Sequence, residues 1–404
     1  MIGPTPGHKP PRNGGRRGRV IVAILDGAGA GAAPDAADYG DQGAQTLRSV
    51  ITAGSRLSLP HLYSLGLHLV LGLPALLPES EVCGYYGRLA PHSPGKDTTS
   101  GHWELAGLVL ARPFPTYPDG FPPAIIAQFE KAIGRKVLGN LVASGTEIIE
   151  QLGRRHLDSG GPIVYTSADS VFQIAAHEKV VPVETLYSWC RTARQILRDP
   201  HGVGRVIARP FVGRPGSFQR TPRRRDYSLP PPGETILDRV HGRGLPVGVI
   251  GKVADIFDHR GITAHLPGKN NDQVFASLLK LMGMLPEGLI WATFGDFDSL
   301  YGHRNDVRGF ARALEQFDRW IPLLKEKMDP KDLFLISADH GCDPSYPGTD
   351  HTREYVPLLA WHSALSPGID AVNLGSRSGM ADFAAGIAGW LALPPLVRGN
   401  NFLS

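Results

Sequence analysis

The stretch 19–25, RVIVAIL, is continuously apolar and β-branched, stops at Asp26, and passes directly into the glycine-rich GAGAGAAPD. A run without polar alternation is buried on both faces, and a glycine-rich loop after it marks a parallel strand of an α/β sheet. Comparable runs return late: Val247 to Ile250 before GKVADIFD, Leu289 to Phe294 before GDFDSLYGH, Leu333 to Ser337 before ADHGCDP, and Val356 to Trp361. Between two of them Phe310, Leu314, Phe317, Ile321 and Leu324 recur at helical spacing, which gives a helix with one apolar face. Strand, helix, strand predicts an α/β core with a mostly parallel sheet covered by helices.

From about Arg112 the sequence becomes proline-punctuated (RPFPTYPDGFPP), and a second loop-rich stretch, RRRDYSLPPPGE, closes that region. The segment between has strands of its own (PIVYTS, GRVIARPFV) and helices over Pro123 to Ile133 and Val183 to Leu197. Residues 113–228 therefore read as a cap domain inserted into a core made of 19–112 and 229–404. A chain of 404 residues is long enough for two such domains. Residues 1–18 are rich in Pro, Gly and Arg and nearly free of apolar side chains, so they read as a disordered basic arm without the apolar stretch of a secretory signal.

Composition excludes several classes. A 42% hydrophobic and 20% charged chain is ordinary globular sequence, and no apolar run approaches the ~20 residues of a spanning helix. The net charge of +4 is too mild to argue for nucleic acid. Three cysteines, Cys83, Cys190 and Cys342, form no CxxC pair, which points to a reducing, cytoplasmic compartment. No oligomeric state is implied.

The chemistry lies at the strand ends. Asp26 follows the first strand, Asp298 and His303 follow the Leu289 strand, Asp339 and His340 follow the Leu333 strand, and His351 lies in the next loop. A lone Asp at a strand end commonly caps a helix. Ligands of open parallel sheets, however, gather at the carboxyl ends of the strands, so these separated residues are expected to share one rim. Three Asp and three His make two three-ligand sites, and mixed carboxylate and imidazole donors suit Mn, Zn or Fe rather than Ca. Two ions about 3.5–4 Å apart clamp the attacking and leaving oxygens of a phosphoryl displacement. SPGKDTTSGHWE supplies candidate nucleophiles, Thr98, Thr99 and Ser100, at the start of a predicted helix, where free N–H groups favour phosphate. Gly95-Lys96 is no P-loop, because Asp97 replaces the hydroxyl residue. Gly27, Gly29 and Gly31 are no dinucleotide fingerprint, because Ala32 holds the third-glycine position.

Taken together, LDGAGAGAAPDA, GYYGRLAPHSPGKDTTSGHWE, GTEIIEQLG, IVYTSADSVFQIAAHE, GRVIARPFVG, GDFDSLYGHR and SADHGCDPSYPGTDHTREYVPLLA resemble the phosphopentomutase family of the alkaline phosphatase superfamily, from about Arg19 to the C-terminus. The resemblance implies an alkaline-phosphatase-like core with an inserted cap, two Mn²⁺ ions, a phosphothreonine enzyme and priming by a sugar bisphosphate. It places the phosphoryl group on Thr98, one metal on Asp26, Asp339 and His340, and the other on Asp298, His303 and His351. Ser167 and Asp169 would bind sugar hydroxyls, and Arg205, Arg220 and Lys252 the distal phosphate. The implied reaction interconverts α-D-ribose 1-phosphate, or its 2-deoxy form, and the 5-phosphate through a 1,5-bisphosphate. Gly27 stands where the family usually has Ser, and Cys342 where Asn is usual; neither change removes a ligand or the nucleophile. The rivals are a phosphoglycerate mutase-like enzyme, expected to use Ser, and a metal-dependent phosphatase, in which water accepts the phosphoryl group.

Overall fold

The computed structural model describes residues 18–53, 57–74, 78, 81–167 and 170–403. The arm expected over 1–18 lies, except for Gly18, outside the described residues. The chain divides into two compact units, one of residues 1–112, 231–254 and 259–404, the other of 113–230 with 255–258.

The first unit is organised by an eight-stranded sheet whose first strand in sequence, Arg19–Leu25, lies in its interior. Its neighbours are Gly288–Phe294 and Leu333–Ser337, both parallel to it, and every residue of the three strands is buried. Helices cover both faces, which is why these strands show no polar alternation. The helix Val307–Glu326 contributes the expected apolar face, with Phe310, Leu314, Phe317, Ile321 and Leu324 fully buried. The Val247–Ile250 strand adds on beyond Gly288–Phe294, also parallel.

Register explains the convergence of the candidate ligands. Leu25 pairs with Phe294 and Ile24 with Ser337, so the segments after all three strands leave the sheet at one rim. The Val356–Trp361 strand departs from the parallel expectation by running antiparallel to Leu333–Ser337, with Ile336 opposite Leu359. Its amino end therefore lies at that same rim, and His351 reaches it by preceding a strand rather than following one.

The second unit has a six-stranded mixed sheet of its own. Its strands alternate: Val164, Phe172, Ile174, Val206 and Ala208 pack with Phe129 of the helix Pro123–Ile133 and Trp189 of the helix Val183–Ile196. Ile163, Tyr165, Ala175 and Phe211 face the other way, against Ile148 and Ile149 of the helix Gly145–Ser159. The period-2 pattern thus builds a core on each face.

Candidate metal centre and nucleophile

The six candidate ligands form two groups within the first unit. In Asp26, Asp339 and His340, and again in Asp298, His303 and His351, the ligand atoms lie within 4.8 Å of one another. The groups adjoin: the His340 and His351 rings stack with centroids 3.8 Å apart. A π-helical turn, Phe297–Tyr301, presents Asp298, and a short 3₁₀ turn, Gly302–Arg304, presents His303. Such turns are frequent at functional sites.

The imidazoles share one arrangement. Nδ1 of His340, His303 and His351 lies 3.1, 2.6 and 2.8 Å from the carbonyl oxygens of Gly341, Thr349 and Lys96. A carbonyl accepts only, so Nδ1 carries a proton in each ring and Nε2 is left toward the site. On the carboxylate side, Asp26 Oδ1 is buried without a hydrogen-bond partner, while Asp339 Oδ2 and Asp298 Oδ1 are buried against imidazole nitrogens, of His102 at 3.1 Å and of His351 at 3.3 Å. Oriented Nε2 atoms beside buried carboxylate oxygens, one of them without a partner, are the donor set of a divalent ion, so these residues fit the metal pair.

Electrostatics separates the groups. Burial and the adjacent Asp339 push the Asp26 carboxyl well above its usual range. Burial outweighs the pull of Asp339 and brings His340 down to about 4. In the other group burial is overcome by hydrogen bonds from His303 and His351, which hold Asp298 well below the usual carboxylate range. Asp298 in turn overrides burial to push His351 up to about 9. The Lys252 ammonium pairs with Asp26 Oδ2, and its pKa is raised because Asp26 and the other two carboxylates outweigh burial.

Thr98 opens the helix Thr98–Leu105, and its Oγ1 lies 3.2 Å from His340 Nε2. Thr99 and Ser100 do not share that contact. The N-cap is Asp97, whose Oδ1 accepts from the Thr99 and Ser100 N–H groups at 3.0 Å each. Two of the helix N–H groups expected to favour phosphate are thus held by the helix's own cap. Glu104 accepts instead from the His92, Ser93 and Met380 N–H groups, tying the preceding loop to the helix. Gly101 is required by close approach, since a Cβ there would lie 2.1 Å from the Asp339 carbonyl oxygen.

Three further residues went unread in the sequence. His102 is fully buried, with Nδ1 3.0 Å from the Thr98 carbonyl and 3.1 Å from Asp339 Oδ2, and Nε2 2.8 Å from Thr293 Oγ1. Glu354, brought up to about 7 by burial against four donated hydrogen bonds, accepts from the Gly31 and Thr46 N–H groups and from the Thr46 and Thr352 hydroxyls. Arg353 donates to Asp35 and to the carbonyls of Pro91, Ser93 and Gly95, fixing the loop before Thr98. The only sequence signal for them was their place inside GHWE and DHTRE.

Of the expected substrate ligands, Lys252 stands at the metal ligands, paired with Asp26. Ser167, Arg205 and Arg220 belong to the second unit, where Arg205 Nη1 is 3.6 Å from Asp226 Oδ2 and Arg220 lies on the short strand Gln219–Arg220. Asp169 lies outside the described residues. All three cysteines are free and buried, and among the described residues no helix is long and apolar enough to cross a membrane.

A model of the metalloenzyme superfamily matches residues 18–395. The phosphopentomutase of Caldanaerobacter subterraneus subsp. tengcongensis is 51% identical over 385 residues, covering 95% of this chain and 97% of its own. That of Acetivibrio thermocellus is 51% identical over 385 residues, with 95% and 98% covered, and that of Carboxydothermus hydrogenoformans 50% over 387 residues, with 95% and 98% covered. With its alkaline-phosphatase-like α/β core and clustered metal-ligand residues, the chain belongs to the metalloenzyme superfamily and, within it, to the phosphopentomutase family of isomerases.

Proposed function

We propose that this chain interconverts α-D-ribose 1-phosphate, or the 2-deoxy sugar phosphate, and the 5-phosphate, with Thr98 as phosphoryl carrier and two Mn²⁺ ions held by the two triads. The observation that carries the reading is the placement of Thr98 Oγ1, 3.2 Å from His340 Nε2, at the buried ligand group of Asp26, Asp339 and His340. Bound divalent ions would polarise phosphoryl oxygens and lower the pKa of the Thr98 hydroxyl. His340, neutral near pH 7 by burial, stays out of proton competition there. His102 holds both the Thr98 carbonyl and Asp339, and so fixes the carrier against its triad.

In the first transfer the bond between phosphorus and Thr98 Oγ1 breaks while the free sugar hydroxyl bonds to phosphorus and its proton ends on Thr98 Oγ1, giving a 1,5-bisphosphate. In the second, the other phosphoryl group passes to Thr98 Oγ1 as its bond to the sugar oxygen breaks, and the Thr98 hydroxyl proton ends on that sugar oxygen. A sugar bisphosphate primes the enzyme by donating to unphosphorylated Thr98. Ser167 and Asp169 are assigned to the sugar hydroxyls, and Arg205, Arg220 and Lys252 to the distal phosphate, which a guanidinium fork meets bidentately. Phosphorus NMR of the protein with ribose 5-phosphate, Mn²⁺ and a trace of sugar bisphosphate tests the reading. Ribose 1-phosphate should appear at constant total sugar phosphate, and the Thr98→Ala protein should produce none while keeping its metal. Free phosphate as the sole product would replace the mutase with a phosphatase.

A further inference from the structure

A second cavity, of about 420 Å³, opens on the first unit near the sheet edge formed by the strands Gly84–Leu89 and Ala371–Arg377. That volume lies within the range of small-molecule sites, roughly 300–1,000 Å³. Arg48 and Arg88 line it and no acidic side chain does. Among the described residues neither guanidinium has an ion-pair partner. Arg48 Nη1 donates to the Leu71 carbonyl at 3.3 Å; Arg88 Nε donates to Ser376 Oγ at 2.7 Å, with its guanidinium 4.1 Å over the Tyr355 ring. An arginine has five N–H donors, so most of both forks is unused. The amides of Gln45 and Asn373 add polar lining, and Leu69 and Leu71 give an apolar wall.

Two uncompensated cations in a concave surface focus a positive potential, and one dianion balances both. A phosphate monoester carries roughly −1.5 to −2 charges at pH 7 and matches planar guanidinium forks. We propose that this cleft is an effector site, separate from the metal triads, for a small organic phosphate monoester whose phosphate meets Arg48 and Arg88 and whose apolar body rests on Leu69 and Leu71. The effector role follows from shared backbone. Gly31 lines the cleft, donates to Glu354 Oε2 at 3.0 Å and accepts from the Tyr355 N–H at 2.8 Å. It thereby joins the loop that begins at Asp26 to the segment that begins at His351. The site stands whether or not the pentose reading does, because its primary readout is binding.

Calorimetric titration of AMP into the full-length, metal-loaded protein, repeated after chelation, tests the site. AMP is expected to saturate one site per chain with and without metal, and adenosine to bind at least ~10-fold more weakly for want of the phosphate. Arg48→Glu should weaken AMP by about tenfold or more. Asn373→Asp guards against misfolding as an explanation, since its Oδ1 can keep the 2.8 Å bond from the Gly375 N–H while adding negative charge; it should weaken AMP several-fold. Absence of saturable binding at millimolar AMP, or binding that needs metal and ignores Arg48→Glu, overturns the site. An effector acting through this shared backbone should shift metal affinity, and metal should shift AMP affinity by the same factor; AMP binding with metal affinity unchanged overturns the effector role.

Discussion

The two ligand triads use the same residue types and balance charge in opposite ways. Asp26, Asp339 and His340 are buried, with two carboxylates to one imidazole that burial keeps neutral, and the positive charge beside them comes from Lys252. Asp298, His303 and His351 set one carboxylate between two imidazoles, partly open to solvent, and balance themselves with protons. In the first triad a cation therefore competes with Lys252 and with the proton that the raised Asp26 carboxyl favours. The second must release protons before it can ligate, because only neutral imidazole binds metal.

The sharpest break between them is expected from Asp339→Ala, which should reduce bound metal from two ions to one and isomerisation by on the order of 10³-fold or more. Metal analysis that still finds two ions would refute the first triad. His102→Asn removes the imidazole behind Asp339 and Thr98 without touching the second triad. Loss of such an outer contact costs roughly 10–100-fold in metal affinity, here confined to one of two binding phases; a uniform loss in both would mean the triads are not independent. The smallest effect is in pH. With His351 at about 9, second-phase affinity should climb about tenfold per pH unit from neutrality toward 9. In chelated protein the sign is reversed for stability. A histidine raised by its pairing stabilises fully below its unfolded value near 6.5, and that contribution is lost as pH rises through about 9. Thermal denaturation of chelated protein should thus give a lower Tm at pH 9.5 than at pH 6.5, and a flat profile would count against the His351–Asp298 pairing.

What could be read in advance followed burial. The interior strands Arg19–Leu25, Gly288–Phe294 and Leu333–Ser337 announce themselves because covering both faces demands unbroken apolar sequence. The edge strand Ala371–Arg377 is largely exposed and has a register shift between Asn373 and Gly375, so AVNLGSR carries neither alternation nor an apolar run. Likewise Asp26, Asp298 and Asp339 were visible as acids just past apolar runs. His102 sits inside a helix and Glu354 just before an antiparallel strand, where sequence offers no strand end to count from. The family resemblance placed Lys252 among the phosphate ligands, but its pairing with Asp26 depends on which strand ends are neighbours, a matter of sheet order.

That sheet order also sets a schedule for synthesis. Arg19–Leu25 is made before every other strand of its sheet, yet both of its neighbours come after residue 287, with the whole of the 113–230 unit made in between. At roughly 5–20 residues per second the strand waits on the order of tens of seconds with both hydrogen-bonding edges unpaired. The second unit, whose strands all lie between residues 138 and 228, can complete its sheet during that interval. The segment that organises the metal-ligand unit is thus exposed to wrong partners for much of synthesis before its own arrive.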